Sequence, residues 1–430
     1  MSGRAPKDNR FRGGRCWRIS AGRLRTTFSA VSHAPLYLQP GRIGSLEIPN
    51  RIVRGATSET MASTNGVVYD SYVELYRRLA DGGAGLLLTG HMYVDPRGQA
   101  SANQTGIHHD RGIPALRRAT EAVHEAGGRI FAQIGHCGSQ TMMSAIVPVA
   151  PSPVPNAMYT IEPEELSDAG IRGLVAAFGA AAGRAAEAGF DGIHIHGGNG
   201  YLISEFCSPH ANTRDDEWGG DAERRSRFMV EVYDAVRRAV GDDLPVTARL
   251  SVEDSVDGGL RREESLERAQ LLAGRGIDAL ETTYGVMRTY FENIRPYVAV
   301  GRAQAWRNLL VQRVRQPAGA EAYYRPFARA VKEATGLPVI LVGGVRTTET
   351  MTDVLSAGDA DFLALARPFI REPDLVRKLE AGRHGGVECV SCNMCLAHDG
   401  FDPLQCWRDN PRNVAVHIRK HYWTNRRKGQ

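Results

Sequence analysis

The sequence predicts an α/β fold, a (β/α)8 TIM barrel in which eight parallel strands alternate with eight helices. Eight short apolar runs alternate with Ala-, Arg- and Glu-rich stretches along the chain. Runs such as LLLT and VILV are continuously apolar, which is typical of parallel strands covered on both faces. Most of the helical stretches end at or near a glycine, the residue that most readily stops a helix in the left-handed conformation.

This alternation predicts the bounds of each element. The strands are expected at Arg51–Arg54, Gly85–Thr89, Arg129–Ile134, Gly192–His196, Pro245–Leu250, Ala279–Thr283, Pro338–Gly343 and Phe362–Ala366. The helices are expected at Ser71–Asp81, Gly112–Ala126, Ala169–Ala188, Asp221–Val240, Arg262–Gly274, Ala320–Thr335, Thr347–Ala357 and Pro373–Ala381. In the fourth helix, Phe228, Val232 and Val236 recur at a spacing of four and form one apolar stripe. Such a stripe is typical of the outer ring of a barrel.

A doubly wound open sheet is the alternative fold. It would place a GxGxxG turn after the first strand, where the sequence reads RGATSET with Gly55 as its single glycine. Eight units that each need a right-handed crossover also close more readily into a barrel. The sequence therefore favours the barrel, which can take up most of the 430 residues as one domain.

Charge and hydropathy exclude two classes of partner. The net charge of +5 comes mostly from the two ends of the chain, so no nucleic-acid partner is expected. No run of eighteen apolar residues occurs, and no membrane association is expected. The Arg- and Ser-rich residues 1–35 lack a hydrophobic signal segment, which predicts a disordered basic arm on a cytoplasmic protein. A transit peptide and a start codon assigned too far upstream are the alternatives for this arm.

The remaining chain divides at the cysteines. Residues 36–382 form the predicted barrel, and residues 383–430 form a short Cys-rich extension. The extension contains four cysteines with the spacing C-x2-C-x2-C-x10-C, namely Cys389, Cys392, Cys395 and Cys406. Four thiolates at this spacing suit a [4Fe–4S] cluster or a structural zinc ion, and free thiols are the remaining alternative.

The fourth strand carries the strongest functional signal. It delivers His196, Asn199 and Tyr201 within six positions, across a glycine-rich bend. Residues at the carboxyl ends of barrel strands face the active site, so these polar side chains indicate a reactive site rather than packing.

The last two strands end in the parts of a phosphate site. Gly343 and Gly344 follow the seventh strand, and Arg367 follows the eighth. Free backbone N–H groups and a guanidinium together bind an anion. A plain strand-to-helix turn is the alternative interpretation of the two glycines.

Six motifs occur in an order that points to one family. They are IGSLEIPNRIV, AQIGHCG, HGGNGYLISEFCSPHANTRDDEWGG, TARLS, VILVGGVRT and LALARPFIREPDL. From about Leu36 to Gly382 the chain resembles the FMN-dependent Old Yellow Enzyme family of NAD(P)H:flavin oxidoreductases, including its 2,4-dienoyl-CoA reductase and trimethylamine dehydrogenase relatives. The fourth-strand motif is the most specific of the six.

The resemblance, together with the strand-end positions, implies a set of FMN contacts. They are Gly55, Ala56, Thr57, Ser58, Gly90, His91, Gln133, Arg249, Gly343, Gly344, Ala366 and Arg367. Gln133 would bind the pyrimidine edge of the flavin, and Arg249 would stabilise the negative charge of the reduced ring. A buried ion pair is the alternative role for Arg249.

Ser58 and Ala366 depart from the residues usual in the family. Arg54 in the first strand has no explanation from the sequence, and His194 is expected to be a core histidine with satisfied hydrogen bonds.

The implied activity is reduction of an activated C=C bond. His196 and Asn199 would donate hydrogen bonds to the carbonyl oxygen of a small unsaturated substrate, and Tyr201 would supply a proton. NADH or NADPH would serve as the reductant. The oligomeric state stays open, with a homo-oligomer as one alternative.

Two other functions remain open at this point. One is an amine dehydrogenase or demethylase that uses FMN and an iron–sulfur cluster, for which Tyr284 and Tyr290 would contribute to an aromatic cage. The other is a non-catalytic FMN-binding electron-transfer protein. A binding module needs no proton donor, so Tyr201 argues against this last function.

Overall fold

Eight parallel strands form a closed barrel. A computed structural model describes residues 34–156, 161–254, 256–285 and 321–420. The barrel strands are β1 (Ile52–Arg54), β2 (Leu86–Leu88), β3 (Ile130–Gly135), β4 (Gly192–Gly197), β5 (Val246–Ser251), β6 (Ala279–Thr283), β7 (Val339–Val342) and β8 (Phe362–Leu365). Each strand pairs in parallel with the next along the chain, and β8 pairs with β1 to close the ring. The predicted fold class is confirmed.

Helices surround this ring. They are α1 (Asp70–Asp81), α2 (Ile113–Glu125), α3 (Asp168–Glu187), α4 (Leu202–Cys207), α5 (Ala222–Val240), α6 (Arg262–Gly274), α7 (Arg325–Thr335), α8 (Thr348–Ser356), α9 (Arg367–Arg371), α10 (Leu375–Glu380) and α11 (Pro411–Ile418). The stripe expected on α5 is correct, since Phe228, Val232 and Val236 are fully buried. The sequence placed the start of α7 at Ala320, whereas the helix begins at Arg325, where Pro326 provides a pre-set φ in the first turn.

Two apolar cores hold the barrel together. One lies between the strands and the surrounding helices, and its members include Leu87, Ile193 and Phe228. The other fills the barrel interior and includes Leu86 and Phe131. A hairpin of Gly41–Ile43 and Leu46–Ile48 adds Ile43 and Ile48 to this interior core. The barrel is therefore a packed scaffold, and the carboxyl ends of its strands are left to build a site.

The Cys-rich extension belongs to the same compact unit as the barrel, which runs from Pro35 onward. It contains a short 3-10 turn at Leu396–His398 and the helix α11. Predictions for residues 1–33, for Tyr290 and for Ala320 lie outside the described residues. No helix in the described ranges is long and apolar enough to cross a membrane.

Candidate active site

A cavity of about 280 Å³ opens at the carboxyl ends of the strands. The predicted site residues that line it are Ala56, Thr57, Ser58, His91, Gln133, His196, Asn199, Tyr201, Arg249, Gly343, Gly344, Ala366 and Arg367. The barrel thus gathers residues from seven strand ends that are far apart in the sequence. Gly55 and Gly90 are not among the described lining residues. The Gly90 N–H instead donates to Glu59 Oε1 at 2.6 Å, and the Gly55 N–H donates to the Leu365 carbonyl at 3.0 Å.

Three rings meet at one side of the cavity. The ring of Tyr201 lies 4.6 Å from that of His196 and 4.8 Å from that of His91, centroid to centroid. His91 and His196 are 5.5 Å apart in an edge-on arrangement. His91, which the sequence assigned to the cofactor, therefore also contacts the two residues expected to act on substrate.

Both histidines of this group are neutral at physiological pH. Burial, reinforced by the positive charge of Arg249, lowers the pKa of His91 to about 4 and that of His196 well below its usual range. A neutral imidazole donates one hydrogen bond and accepts another. The buried nitrogens His91 Nε2 and His196 Nδ1 have no hydrogen-bond partner among the described residues.

The bend after β4 fixes the position of Asn199. Its φ of 58° lies in the left-handed region, which Asn tolerates better than most residues. The backbone N–H donates to Ser251 Oγ at 2.9 Å, and the side-chain amide donates to Thr283 Oγ1 at 3.1 Å. Ser251 and Thr283 are the last residues of β5 and β6. Asn199 is therefore held by two residues whose supporting role the sequence did not reveal.

A buried charge chain runs beneath the cavity. His196, Arg249 and Glu281 are register neighbours on β4, β5 and β6. Arg249 forms two hydrogen bonds to the Glu281 carboxylate, at 2.7 and 3.0 Å, while still lining the cavity. Both roles weighed for Arg249 are therefore compatible. Burial alone would raise the pKa of Glu281, but Arg249 and His194 outweigh it and lower the pKa to about 2.

His194 completes this chain as a core residue. It is fully buried, with Nδ1 2.8 Å from Thr247 Oγ1 and Nε2 3.0 Å from Glu281 Oε2. The expectation of a satisfied core histidine is correct. Sequence reasoning missed Glu281, although an acidic residue inside the apolar run ALETT is a signal that could have found it.

Arg54, unexplained by the sequence, belongs to a buried polar network beside the cavity. Its guanidinium donates to the Leu88 carbonyl at 2.6 Å and to Tyr76 Oη at 3.2 Å. It also pairs with Glu59 at 3.8 Å. Because Glu59 accepts the Gly90 N–H as well, this network ties the ends of β1 and β2 together.

The cavity fits a flavin mononucleotide in two respects. Gln133 Nε2 is buried without a hydrogen-bond partner, as an amide facing an absent polar group would be. At the other end, Gly343 and Gly344 have φ values of 112° and 80°, conformations that favour glycine. The cationic side chains Arg346 and Arg367 line this same end. An amide at one end and a cationic, glycine-lined end at the other match the two polar ends of such a cofactor.

Several lining residues were not predicted. Tyr323 and Tyr324 line the cavity, as do Leu396 and Asp399 from the Cys-rich extension. Asp399 is exposed at the cavity, yet desolvation by the surrounding protein raises its pKa to about 6, and the nearby Ser58 hydroxyl partly offsets this rise. A carboxyl group in this wall was invisible to motif reasoning because nothing in the sequence indicates where the extension docks.

The four cysteines of the extension line a second cavity, of about 180 Å³. Burial raises the pKa of Cys395 to about 12 and also raises that of Cys406, which the Arg371 guanidinium partly offsets. Within the described ranges, no group of three or more His, Cys, Asp or Glu side chains could hold a metal ion. The four thiols therefore share one cavity without forming a compact set of ligands for a single ion.

The chain matches the model of the NADH:flavin oxidoreductase / NADH oxidase family over residues 37–385. The chain belongs to this family. The resemblance seen in the six motifs is thereby confirmed. The members of this family are oxidoreductases of the Old Yellow Enzyme type.

Two curated relatives show the range of lengths in the family. The chain is 35% identical over 382 residues to an NADH oxidase of Thermoanaerobacter brockii, covering 87% of this chain and 56% of the relative. It is 34% identical over 379 residues to the 4,4'-dithiodibutanoate disulfide reductase of Rhodococcus erythropolis, covering 84% of this chain and 92% of the relative. The chain thus spans about half of the first protein and nearly all of the second.

Solved structures agree with the fold. A 2-naphthoyl-CoA reductase in complex with 2-naphthoyl-CoA superposes with a TM-score of 0.77 at 25% identity, covering 89% of this chain and 58% of that one. An old yellow enzyme homologue from Zymomonas mobilis gives a TM-score of 0.69 at 26% identity, covering 89% of this chain and 99% of that one.

Proposed function

We propose that this protein is an FMN-dependent oxidoreductase that passes hydride from NADH or NADPH to the activated C=C bond of a small unsaturated carbonyl compound. The observation that carries this proposal is the grouping of His196, Asn199 and Tyr201 in the cavity whose other end has the features of a phosphate site. Family membership supports flavin chemistry, and the 2-naphthoyl-CoA reductase supports a carbonyl-activated substrate.

FMN, when bound, supplies the hydride; the protein's own residues do the rest. Gly343, Gly344, Arg346 and Arg367 would hold the phosphate, and Gln133 would bind the pyrimidine edge of the ring. Ala56, Thr57 and Ser58 would form the adjacent wall. Ala366 lines the phosphate end, where its methyl group limits how closely the backbone can approach.

His196 and Asn199 would orient the substrate. A neutral imidazole and a fixed amide can both donate hydrogen bonds to one carbonyl oxygen, which stabilises the negative charge that develops there. The low pKa of His196 keeps it a neutral donor, so it does not transfer its proton outright. Tyr201 would supply the proton, since a phenol is protonated at neutral pH.

The proposal is tested with the purified protein. We expect a yellow protein that releases FMN on denaturation and oxidises NADPH or NADH faster when 2-cyclohexenone is added. Anaerobic measurement of flavin reoxidation by the enone isolates the step assigned to these residues. A protein that binds FMN but whose reduced flavin is not reoxidised by any enone or enal would contradict the proposed substrate class.

A second candidate is an amine dehydrogenase or demethylase. The cavity wall contains Tyr323 and Tyr324, with Tyr284 packed on Tyr324 at 5.8 Å between ring centroids. It also contains the carboxyl of Asp399. Aromatic faces and a carboxylate attract a cationic substrate. Tyr290, the other residue expected in such a cage, lies outside the described residues. Flavin reduction by methylated amines without nicotinamide would favour this candidate.

We also propose that Cys389, Cys392, Cys395 and Cys406 hold a [4Fe–4S] cluster. Four thiolates are the usual ligands of such a cluster, and the four cysteines line one cavity. Because burial keeps Cys395 protonated, loading would release protons. Anaerobic analysis should find iron and sulfide in equal amounts; zinc, or no metal, would contradict it.

A further inference from the structure

The Cys-rich extension contributes to the wall of the flavin cavity and contacts other residues that line it. Leu396 and Asp399 line the cavity themselves. Arg367 and Ile370 of α9 line both the flavin cavity and the four-cysteine cavity. The helix α9 follows β8 directly, so one short segment separates the two cavities. This arrangement raises the question of whether the two sites can be filled independently.

At the phosphate end, the extension directs both arginines. Arg367 Nη1 donates to Asn393 Oδ1 at 2.6 Å. Arg346 Nη1 donates to the Cys389 carbonyl at 2.9 Å. Asn393 and Cys389 belong to the loop that bears the first three cysteines. The directions of the two guanidinium groups therefore depend on the conformation of this loop.

Next to this end, the extension is also tied to the segment after β1, the strand that pairs with β8. Asp399 and Ser58 both line the cavity, and the Ser58 hydroxyl partly lowers the raised pKa of the Asp399 carboxyl. The Leu404 N–H donates to the Glu59 carbonyl at 2.9 Å. The segment of Ser58 and Glu59 thus contacts the extension as well as the barrel, where Glu59 also pairs with Arg54 of β1.

The cysteine loop has an unusual backbone. Ser391 and Asn393 have φ values of 55° and 58°, both in the left-handed region that non-glycine residues seldom adopt. Both residues are almost fully buried, and they alternate with the ligand positions Cys389, Cys392 and Cys395. Conformations of this kind persist only where the surroundings enforce them. A centre bound to the flanking thiolates would enforce this one.

We propose that Asn393 and Asp399 are positioning residues of the flavin site, and that through them occupation of the four-cysteine site increases FMN affinity. The proposal rests on two proposals made above, namely that FMN binds this cavity and that the four cysteines hold a metal centre. Linkage is reciprocal, so bound FMN also favours the loop conformation that receives the metal centre.

The first experiment compares two substitutions at one position. Asn393→Gly permits the positive φ but removes the acceptor for Arg367, whereas Asn393→Asp keeps an acceptor and tolerates the same backbone. We expect the Kd for FMN, measured by flavin fluorescence, to rise about tenfold in Asn393→Gly, since a hydrogen bond to a charged group is lost. Asn393→Asp should retain the wild-type Kd. Equal affinity in all three proteins overturns the role of Asn393.

The second experiment is a double-mutant cycle on Asp399 and Ser58. If Asp399 acts through Ser58, Asp399→Ala, Ser58→Ala and the double variant should shift the flavin reduction potential by the same amount. Additive shifts would show that the two side chains act separately, which overturns the positioning role of Asp399. A general loss of stability would not give equal shifts of the flavin reduction potential in the two single variants and the double variant.

The third experiment addresses the linkage in the wild-type chain. Removing the metal centre by anaerobic chelation should raise the Kd for FMN about tenfold, and reconstitution with iron and sulfide should restore it. An unchanged Kd for FMN overturns the linkage. Because this experiment uses the wild-type chain, its outcome does not depend on whether the variants fold. A loaded wild-type protein that binds no FMN would instead contradict the proposed function. The two failures are therefore distinguishable.

Discussion

The end of β4 and the Cys-rich extension both reach the same cavity, but by different routes. His196, Asn199 and Tyr201 come from one strand and the bend that follows it. Leu396 and Asp399 come from a segment beyond the last strand, which packs over the end of β1 and beside α9. In the first region the chain direction alone brings the residues together. In the second, tertiary packing decides which side chains enter the cavity.

The two regions also differ in how they are stabilised. The β4 end rests on the buried chain His194, Glu281 and Arg249, which spans three neighbouring strands. The extension is held by hydrogen bonds to the barrel, such as Arg367 with Asn393, and by ion pairs such as Arg371 with Asp409. The wall at the β4 end therefore rests on buried charges, whereas the wall formed by the extension depends in part on ion pairs that reach the surface.

The largest expected effect is on chemistry at the β4 end. Tyr201→Phe removes the proposed proton donor but keeps the ring against His91 and His196. We expect reoxidation of the flavin by an enone to slow by about 10² to 10⁴-fold, the usual contribution of a general acid. Flavin reduction by nicotinamide should change little, as stopped-flow absorbance would show. An equal loss in both half-reactions would reject the role of Tyr201, and iron content should not change.

The next effect is on the stability of the buried chain formed by His194, Glu281 and Arg249. Glu281→Gln leaves Arg249 buried without its partner carboxylate, which costs about 3–5 kcal/mol of unfolding free energy. The carboxylate has a lowered pKa of about 2, so its stabilisation is present above the unfolded value of about 4.5 and is lost as pH falls through about 2. Denaturant unfolding should therefore show a smaller decline between these pH values in the variant.

Glu74→Gln is the matched control for this prediction. Glu74 pairs with Arg77 on the exposed face of α1, where both side chains are about half exposed. The substitution should leave the unfolding free energy nearly unchanged, because solvent screens an exposed ion pair. Similar losses in both variants would show that the buried chain gives the β4 end no special support.

The smallest effect concerns the far side of the β4 bend. Glu205 on α4 is buried and hydrogen-bonded to Ser139, and burial raises its pKa to about 8. Its protonated form stabilises the fold fully below the unfolded value of about 4.5, and this contribution is lost as pH rises through about 8. Glu205→Gln should flatten the decrease in thermal midpoint over this interval. An unchanged pH profile would show that Glu205 is ionised in the folded protein.

The sequence determined the fold of this protein and the grouping of three polar side chains at the end of β4. Continuous apolar runs and glycine-ended helices set the eight units, and the order of six motifs set the family, because these signals are local or recur at fixed places along the chain. His196, Asn199 and Tyr201 were predictable for the same reason, since a strand end delivers them together.

Only the tertiary structure decided what supports and completes the site. Glu281 becomes a partner of Arg249 through strand register, Thr283 becomes a partner of Asn199 across a neighbouring strand, and Asp399 enters the cavity through docking of the extension. These relations join residues that are distant in sequence, and their energies arise from burial and close packing, which no local pattern of residues encodes.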